Sequence, residues 1–215
     1  IIIFHKDIVD LIVKSFNFLF KKHKEFKKEF LYVVMLVIAV IPAGLVGLLL
    51  KDFIEDTFKN IITVGISLLI TSIALSLVSR EAVENQETEI KPIDALVIGI
   101  FQVFALIPGI SRSGSTMVGG LTRKIRFEDT MKFSFLLYIP ISLATILLGL
   151  LDLSSSSDVF VLGYVSAFIV SIITTYFSVK WFFKMVRKGN LKYFSIYCLV
   201  VGILVLVVNF ILGVI

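Results

Sequence analysis

Long apolar runs, separated by short gaps that hold most of the charged residues, make up this chain of 215 residues. A helix that crosses a bilayer needs about 20 predominantly apolar residues. Five runs satisfy that length, and the prolines inside two of them are tolerated because neighbouring helices can satisfy the freed backbone groups. We therefore predict an all-α integral membrane protein, a multi-span helical bundle forming one polytopic domain over 1–215, with transmembrane helices at 31–50, 61–79, 133–151, 159–179 and 193–215.

The segment 93–122 differs from the other apolar runs because Pro108-Gly109 interrupts it near its middle. By the positive-inside rule, the lysines in 21–28 and the basic residues in 184–192 lie in the cytoplasm. Tracing the chain from both of these clusters puts the two ends of the segment on the cytoplasmic face. It is too short for two crossings, so we predict a re-entrant helical hairpin whose tip lies near mid-membrane. The same trace places the C-terminus outside.

The first 30 residues resemble the end of a helix followed by an amphipathic segment. Apolar residues recur there at helical spacing against charged ones, which predicts a helix that lies on the membrane surface. The apolar positions are Ile8, Leu11, Ile12, Phe16, Leu19 and Phe20. The sequence starts at Ile1 without an initiator Met, and we expect it to be a piece of a longer protein.

Composition supports the membrane assignment and excludes several kinds of site. The chain is 58% hydrophobic and only 17% charged, whereas a soluble domain carries about 25% charged residues. Its net charge of +5 does not indicate nucleic-acid binding, because the basic residues lie in the gaps between spans. The single cysteine, Cys198, excludes an intrachain disulfide, and no group of residues has metal-ligand spacing.

One charge interrupts the apolar pattern of the hairpin, since Arg112 is the only charged residue between Asp94 and Arg123. A charge at membrane depth is costly and by default marks a functional site. The alternative is an arginine that snorkels to the surface, but Arg112 lies ten or more residues from either polar boundary, too far to reach water. We therefore interpret Arg112 as a group that binds an anion.

The residues around Arg112 fit this interpretation. Pro108 and Gly109 permit a reversal, after which we predict a second helix from Ser113 to Leu121 with its positive dipole end at the tip. Arginine suits phosphate because its planar fork bonds two oxygens at once. The candidate anion-binding residues, together with Arg112, are Gln102, Gly109, Ser111, Ser113, Gly114, Ser115 and Thr116.

The run Ala105-Leu106-Ile107-Pro108-Gly109-Ile110-Ser111-Arg112-Ser113-Gly114-Ser115-Thr116 closely resembles the second signature of undecaprenyl-diphosphate phosphatases, the bacitracin-resistance family. Gly99-Ile100-Phe101-Gln102 is similar to the lead-in of that signature, and Phe133-Ser134-Phe135-Leu136-Leu137 followed by Pro140 is similar to the next helix. The resemblance implies a bacterial inner-membrane hydrolase that removes one phosphate from a C55 polyprenyl diphosphate, the carrier lipid of peptidoglycan synthesis.

The resemblance also implies roles for individual residues. Arg112 would hold the diphosphate, Ser111 and Thr116 would contact its oxygens, and the remaining candidates would bind substrate or shape the loop. It implies an inverted-repeat fold with two re-entrant hairpins, of which this chain carries one half and part of the other. A homodimer is left open.

The family's first signature, a glutamate-rich stretch that ends in Ser-Ser-Thr-Gly-His, does not occur in 1–215. The resemblance implies a divalent cation, Mg²⁺ or Ca²⁺, whose ligands belong to that signature, as does the nucleophile or proton-transfer group. We therefore expect the metal ligands in a missing N-terminal part and assign none here. This chain would supply the diphosphate-binding half of the site and be inactive without the other half.

A function of a different class stays open. Broken helices whose N-termini face an anion at mid-membrane also occur in secondary transporters, so the protein could be a transporter or flippase for an anionic or lipid-phosphate substrate. A hairpin upstream that carries Glu and His would favour hydrolysis, whereas its absence would favour transport.

Overall fold

The computed structural model describes residues 4–21, 23–78, 89–153, 161–186 and 191–213. Nine α-helices and one short 3-10 turn make up its regular structure in these ranges. In chain order they are α1 His5–Lys21, the turn Lys24–Phe26, α2 Lys27–Leu49, α3 Lys51–Phe58, α4 Ile61–Val78, α5 Pro92–Phe104, α6 Arg112–Thr122, α7 Phe127–Leu153, α8 Val161–Val186 and α9 Leu191–Leu212.

Length and hydropathy identify the helices that can cross a membrane. Four qualify among the described residues, at Lys24–Leu49, Phe127–Leu147, Gly163–Phe182 and Leu191–Leu212. The apolar helix α4 qualifies when it is taken together with α3, which meets it at 97°. The protein is an all-α, multi-pass membrane protein, as its sequence predicts.

The helices α5 and α6 form a hairpin that packs between the other spans. One apolar core joins α5 to α2 and α7 through residues that include Ala39, Ile98 and Phe133. A second core joins α6 to α4 and the start of α9 through residues that include Leu75, Met117 and Leu191. Each arm of the hairpin is therefore held by a different long helix.

The contact between α5 and α2 is a close approach of two backbones. A Cβ added at Gly99 would lie 2.5 Å from the carbonyl oxygen of Ala39, so only glycine allows this spacing. A van der Waals contact further along joins the side chain of Leu106 to Gly47. Both pairs advance in the same direction along the two helices, so α5 runs parallel to α2.

The two ends of the hairpin lie together. Asp94 is buried in the first turn of α5, where its carboxylate accepts a hydrogen bond from the Lys91 amide at 3.0 Å. Its other oxygen accepts from Nε of Arg123, which directly follows α6, at 2.7 Å. Lys28 of α2 binds Glu89 at 2.7 Å, and this contact lowers the pKa of the Glu89 carboxyl. These ion pairs hold the start and the end of the hairpin at one end of the bundle.

The turn of the hairpin reaches further across the bundle than the predicted mid-membrane position. Leu106 lies beside Gly47 in the last turn of α2, and Gly109 lies against Val64 in the first turn of α4. The start of α6 is at mid-depth, since the Ser111 amide bonds to Thr71, the eleventh of the 18 residues of α4. The difference arises because seven residues outside the helices separate α5 from α6 and extend beyond the start of α6.

The amphipathic segment forms α1, but its apolar positions divide between two environments. Ile8 and Leu11 pack against the core that contains α2 and α7. Ile12, Phe16, Leu19 and Phe20 are exposed, as expected for a face turned toward lipid. An ion pair between Asp7 and Lys132 of α7 holds the helix on the bundle. The predicted single apolar stripe is therefore wider than the face that stays open.

The hairpin geometry predicts the result of cysteine labelling. In a background that lacks Cys198, single cysteines in place of Lys91 and Lys124 should react with a membrane-impermeant reagent from the same side of the membrane, because the Asp94–Arg123 ion pair joins the two ends. A cysteine in place of Asn60, at the other end of α4, is the control and should react from the opposite side. Labelling of positions 91 and 124 from opposite sides would contradict a re-entrant hairpin.

Candidate functional site

The chain reverses direction after α5 through a short series of tight turns. The amides of Ala105 and Leu106 bond to carbonyls three residues earlier, each at 3.0 Å, and Ile110 does the same at 3.1 Å. Gly109 has a φ of 94°, a conformation that L side chains rarely adopt. A Cβ there would also lie 2.9 Å from the Val64 carbonyl oxygen. Glycine is therefore required at this point of the turn for both reasons.

Thr71 of α4 fastens the turn to the bundle. Its hydroxyl donates to the carbonyl of Gly109 at 3.3 Å and accepts from the amide of Ser111 at 3.1 Å. The residue is only 3% exposed. One side chain thus satisfies two backbone groups that would otherwise be unpaired at membrane depth, where an unsatisfied group is costly.

Sequence reasoning missed Thr71. The available signal was a hydroxyl inside the apolar run 61–79, four residues after Ser67, so that both side chains lie on one helix face. Both residues are buried, and both lie against the turn of the hairpin. Only the contact between α4 and the turn distinguishes this hydroxyl from one that bonds within its own helix.

The hydroxyl of Ser111 caps α6. Ser111 has extended backbone angles, and its Oγ accepts a hydrogen bond from the Gly114 amide at 3.2 Å. The Oγ of Ser113 lies 3.4 Å from it. Helix α6 thus begins at Arg112, one residue before the predicted start. Gly114 leaves room for this cap, because a Cβ there would lie 3.2 Å from the Ser111 Oγ.

Two amides at the start of α6 are left without a partner. Ser115 donates to the Ser111 carbonyl at 2.9 Å, which is the first bond of the helix. Within the described ranges, no acceptor is bonded to the amides of Arg112 and Ser113. Unpaired amides and the positive end of the helix dipole together attract an anion.

Arg112 lies on the surface of the described helices. The Cζ of its guanidinium is 5.0 Å from the centre of the Tyr138 ring on α7. None of the carboxylates whose side chains the structure describes pairs with it. The enclosed cavity expected at the tip is not formed by the described residues, since Arg112 points away from the contacts of α6 with α4 and α5. A cation at mid-depth that faces no protein acid requires a polar partner.

The structure places the two remaining candidates inside the protein. Thr116 is 1% exposed, and its hydroxyl donates to the carbonyls of Arg112 and Ser113 at 3.0 and 3.2 Å. Its contact with a phosphate oxygen stays a prediction, and its observed bonds fix the first turn of α6. Gln102 is 4% exposed, and its Oε1 has no hydrogen-bond partner among the described residues.

No metal centre can be built from the described side chains, because no group of three or more His, Cys, Asp and Glu residues is placed to hold an ion. The described residues therefore do not fit a divalent cation by themselves, and no chemical step is assigned to one here.

Comparison with known proteins gives a consistent result along the whole chain. A family described as "Bacitracin resistance protein BacA" matches residues 1–204. Undecaprenyl-diphosphatase 1 of Bacillus cereus is 41% identical over 209 residues, which cover 96% of this chain and 77% of the relative. Undecaprenyl-diphosphatase of Oceanobacillus iheyensis is 43% identical over 213 residues, with the same coverage. From this agreement, the chain belongs to the BacA family of bacitracin resistance proteins.

Proposed function

We propose that the protein hydrolyses undecaprenyl diphosphate to undecaprenyl phosphate and phosphate, and so recycles the carrier lipid of peptidoglycan synthesis. The carrying observation is Arg112, a cation without a protein acid at mid-depth, beside the two unpaired amides of α6. The names of the relatives, undecaprenyl-diphosphatase in each case reported above, support hydrolysis over the transport alternative.

The residues of this chain supply binding and orientation. The guanidinium of Arg112 can bond two phosphate oxygens, while the amides of Arg112 and Ser113 donate to a third. In hydrolysis, the bond between the terminal phosphorus and the bridging oxygen breaks as a water oxygen bonds to that phosphorus. Negative charge then moves to the bridging oxygen, which leaves with the lipid phosphate. Phosphoryl transfer depends mainly on positioning and charge neutralisation, which is what this arrangement provides.

Ser111 has a positioning role in this proposal and is not the nucleophile. Its Oγ accepts from the Gly114 amide, and no basic side chain among the described residues bonds to it. A serine needs an adjacent base to become nucleophilic. Gln102 is a second positioning candidate, because its buried Oε1 is free to accept a hydrogen bond.

The orientation and the assembly state belong to the proposal as well. Helix α9 runs antiparallel to α4, since Gly65 contacts Leu206 while Ser72 and Ser195 exchange hydrogen bonds of 2.8 Å. If α4 enters from outside, α9 ends outside, which places the C-terminus there. We also include a homodimer, in which a second copy covers part of α8, because the described residues bury none of Gly163–Phe182.

Substitution of Arg112 tests the proposed function directly. Arg112→Ala should lower kcat/KM for release of phosphate from undecaprenyl diphosphate at least about 100-fold, since it removes a preorganised donor to the phosphate. Arg112→Lys should also be severely impaired, because lysine offers a point charge without the bidentate fork. Arg126→Ala is the matched control, since Arg126 pairs with Asp129 outside the site. Near-normal turnover in Arg112→Ala would refute the anion-binding role.

Thr71 should act through the position of the turn. Thr71→Val leaves the Gly109 carbonyl and the Ser111 amide unpaired, at a cost of about 1–3 kcal/mol per group, so we expect phosphate release to fall about tenfold or more. Thr71→Ser retains the hydroxyl and should recover most activity. Thr145→Val, which removes a hydroxyl that bonds within α7, is the control. Equal activity of the Val and Ser variants at position 71 would exclude this role.

The divalent cation is a further part of the proposal, with ligands outside the described residues. Removal of divalent ions with a chelator should abolish phosphate release, and added Mg²⁺ or Ca²⁺ should restore it, because phosphoryl transfer relies on charge neutralisation by a metal. The measurement is the phosphate release rate before and after chelation. Full activity in the metal-free protein would remove the cation from the proposal.

A further inference from the structure

A cavity lies on the other side of the hairpin turn from Arg112. It has a volume of about 330 Å³ and is formed by the end of α2, by α3 with the residue that follows it, and by the turn. Its lining residues are Gly47, Lys51, Ile54, Lys59, Leu106 and Pro108. None of these residues belongs to the anion-binding group around Arg112, so the cavity is a separate feature of the molecule.

The lining combines two kinds of chemistry. Gly47, Ile54, Leu106 and Pro108 give an apolar wall, whereas the two lysines are cationic. A free phosphate ion would use only the lysines and leave the apolar wall exposed to water. An anionic head group joined to a hydrocarbon chain would use both parts, because burial of apolar surface and neutralisation of charge then occur together.

The acidic residues of α3 do not cancel the positive charge of the cavity. Lys51 and Ile54 are three residues apart and therefore lie on one face of the helix. Asp52 and Asp56 are four residues apart and share another face, and neither lines the cavity. The cavity side of α3 is thus cationic and apolar, although the helix as a whole carries acids.

The cavity is linked to the candidate site through a short, well-bonded stretch of chain. Pro108 forms part of the cavity wall and lies four residues before Arg112. Between them, Thr71 fixes the Gly109 carbonyl and the Ser111 amide. The turn therefore has the cavity on its outer side and leads to the start of α6 at mid-depth.

We propose that this cavity is a capture site for the polyprenyl diphosphate, in which Lys51 and Lys59 bind the diphosphate and Ile54, Leu106 and Pro108 contact the first isoprene units. The lipid then moves around the turn to Arg112. This inference rests on the proposed function, because it takes the substrate of that reaction as its ligand.

Binding can be measured without turnover in an Arg112→Ala background, with farnesyl diphosphate as a short polyprenyl diphosphate and the purified protein in detergent micelles. Addition of Lys51→Gln and Lys59→Gln should weaken binding about three- to tenfold at low salt, as expected for two exposed charges. Lys51→Arg with Lys59→Arg should retain the binding. Lys24→Gln with Lys27→Gln removes two charges near the opposite end of α2 and is the matched control.

A second measurement separates capture from chemistry. With Arg112 intact, the Lys51→Gln, Lys59→Gln variant should raise the KM for undecaprenyl diphosphate by a similar factor and leave kcat within about twofold. Unchanged binding and KM in this variant, or an equal loss in the control variant, would overturn the proposal. Competition by inorganic phosphate as strong as that by farnesyl diphosphate would also overturn it, since the apolar wall would then have no role.

The failure of this inference can be distinguished from that of the proposed function. Lysine-dependent binding of farnesyl diphosphate in a protein that releases no phosphate would support the capture site and contradict the hydrolase. Phosphate release that is indifferent to the two lysines would support the hydrolase and contradict the capture site.

Discussion

Every polar group placed inside a membrane needs a partner, and the hairpin of α5 and α6 brings many such groups to mid-depth. Thr71 satisfies the Gly109 carbonyl and the Ser111 amide, and the Ser111 hydroxyl satisfies the Gly114 amide. Thr116 donates its own hydroxyl to the first turn of α6. Within the described chain, the polarity that stays unsatisfied is concentrated in the Arg112 guanidinium and the two amides beside it. The same constraint that makes the turn expensive therefore also defines where an anion can bind.

The hairpin can present this group accurately because its arms are held by different elements. The backbone approach of Gly99 to Ala39 fixes α5 on α2, while Leu75 and Met117 join α6 to α4. At the base, the buried carboxylate of Asp94 is paired with Arg123 and capped by an amide, so its charge is compensated. A site built on rigid helices keeps its donors aligned, which phosphoryl transfer requires.

The features that the sequence predicts well are those written in neighbouring residues. The apolar runs predict the long helices, Pro108-Gly109 predicts the reversal, and a lone arginine among hydroxyls predicts the anion site. What the sequence could not predict depends on contacts between distant segments. Neither the use of Thr71 by the turn nor the Asp94–Arg123 ion pair follows from local spacing. The depth of the turn depends on the path of 105–111 against α2 and α4, and the open surface around Arg112 depends on how α6 meets α7.

The cations along the proposed path of the lipid differ in a way that follows from their surroundings. Lys51 and Lys59 lie at the exposed end of the bundle, where a strongly hydrated ammonium attracts an anion while holding it weakly. Arg112 lies at mid-depth, where its more weakly hydrated guanidinium costs less to desolvate and its fork fixes the orientation of a phosphate. Weak capture followed by oriented binding avoids a trap at the outer site, because a lipid held too tightly by the lysines would not reach the arginine. In this arrangement, the depth of each cation determines whether lysine or arginine is the suitable residue.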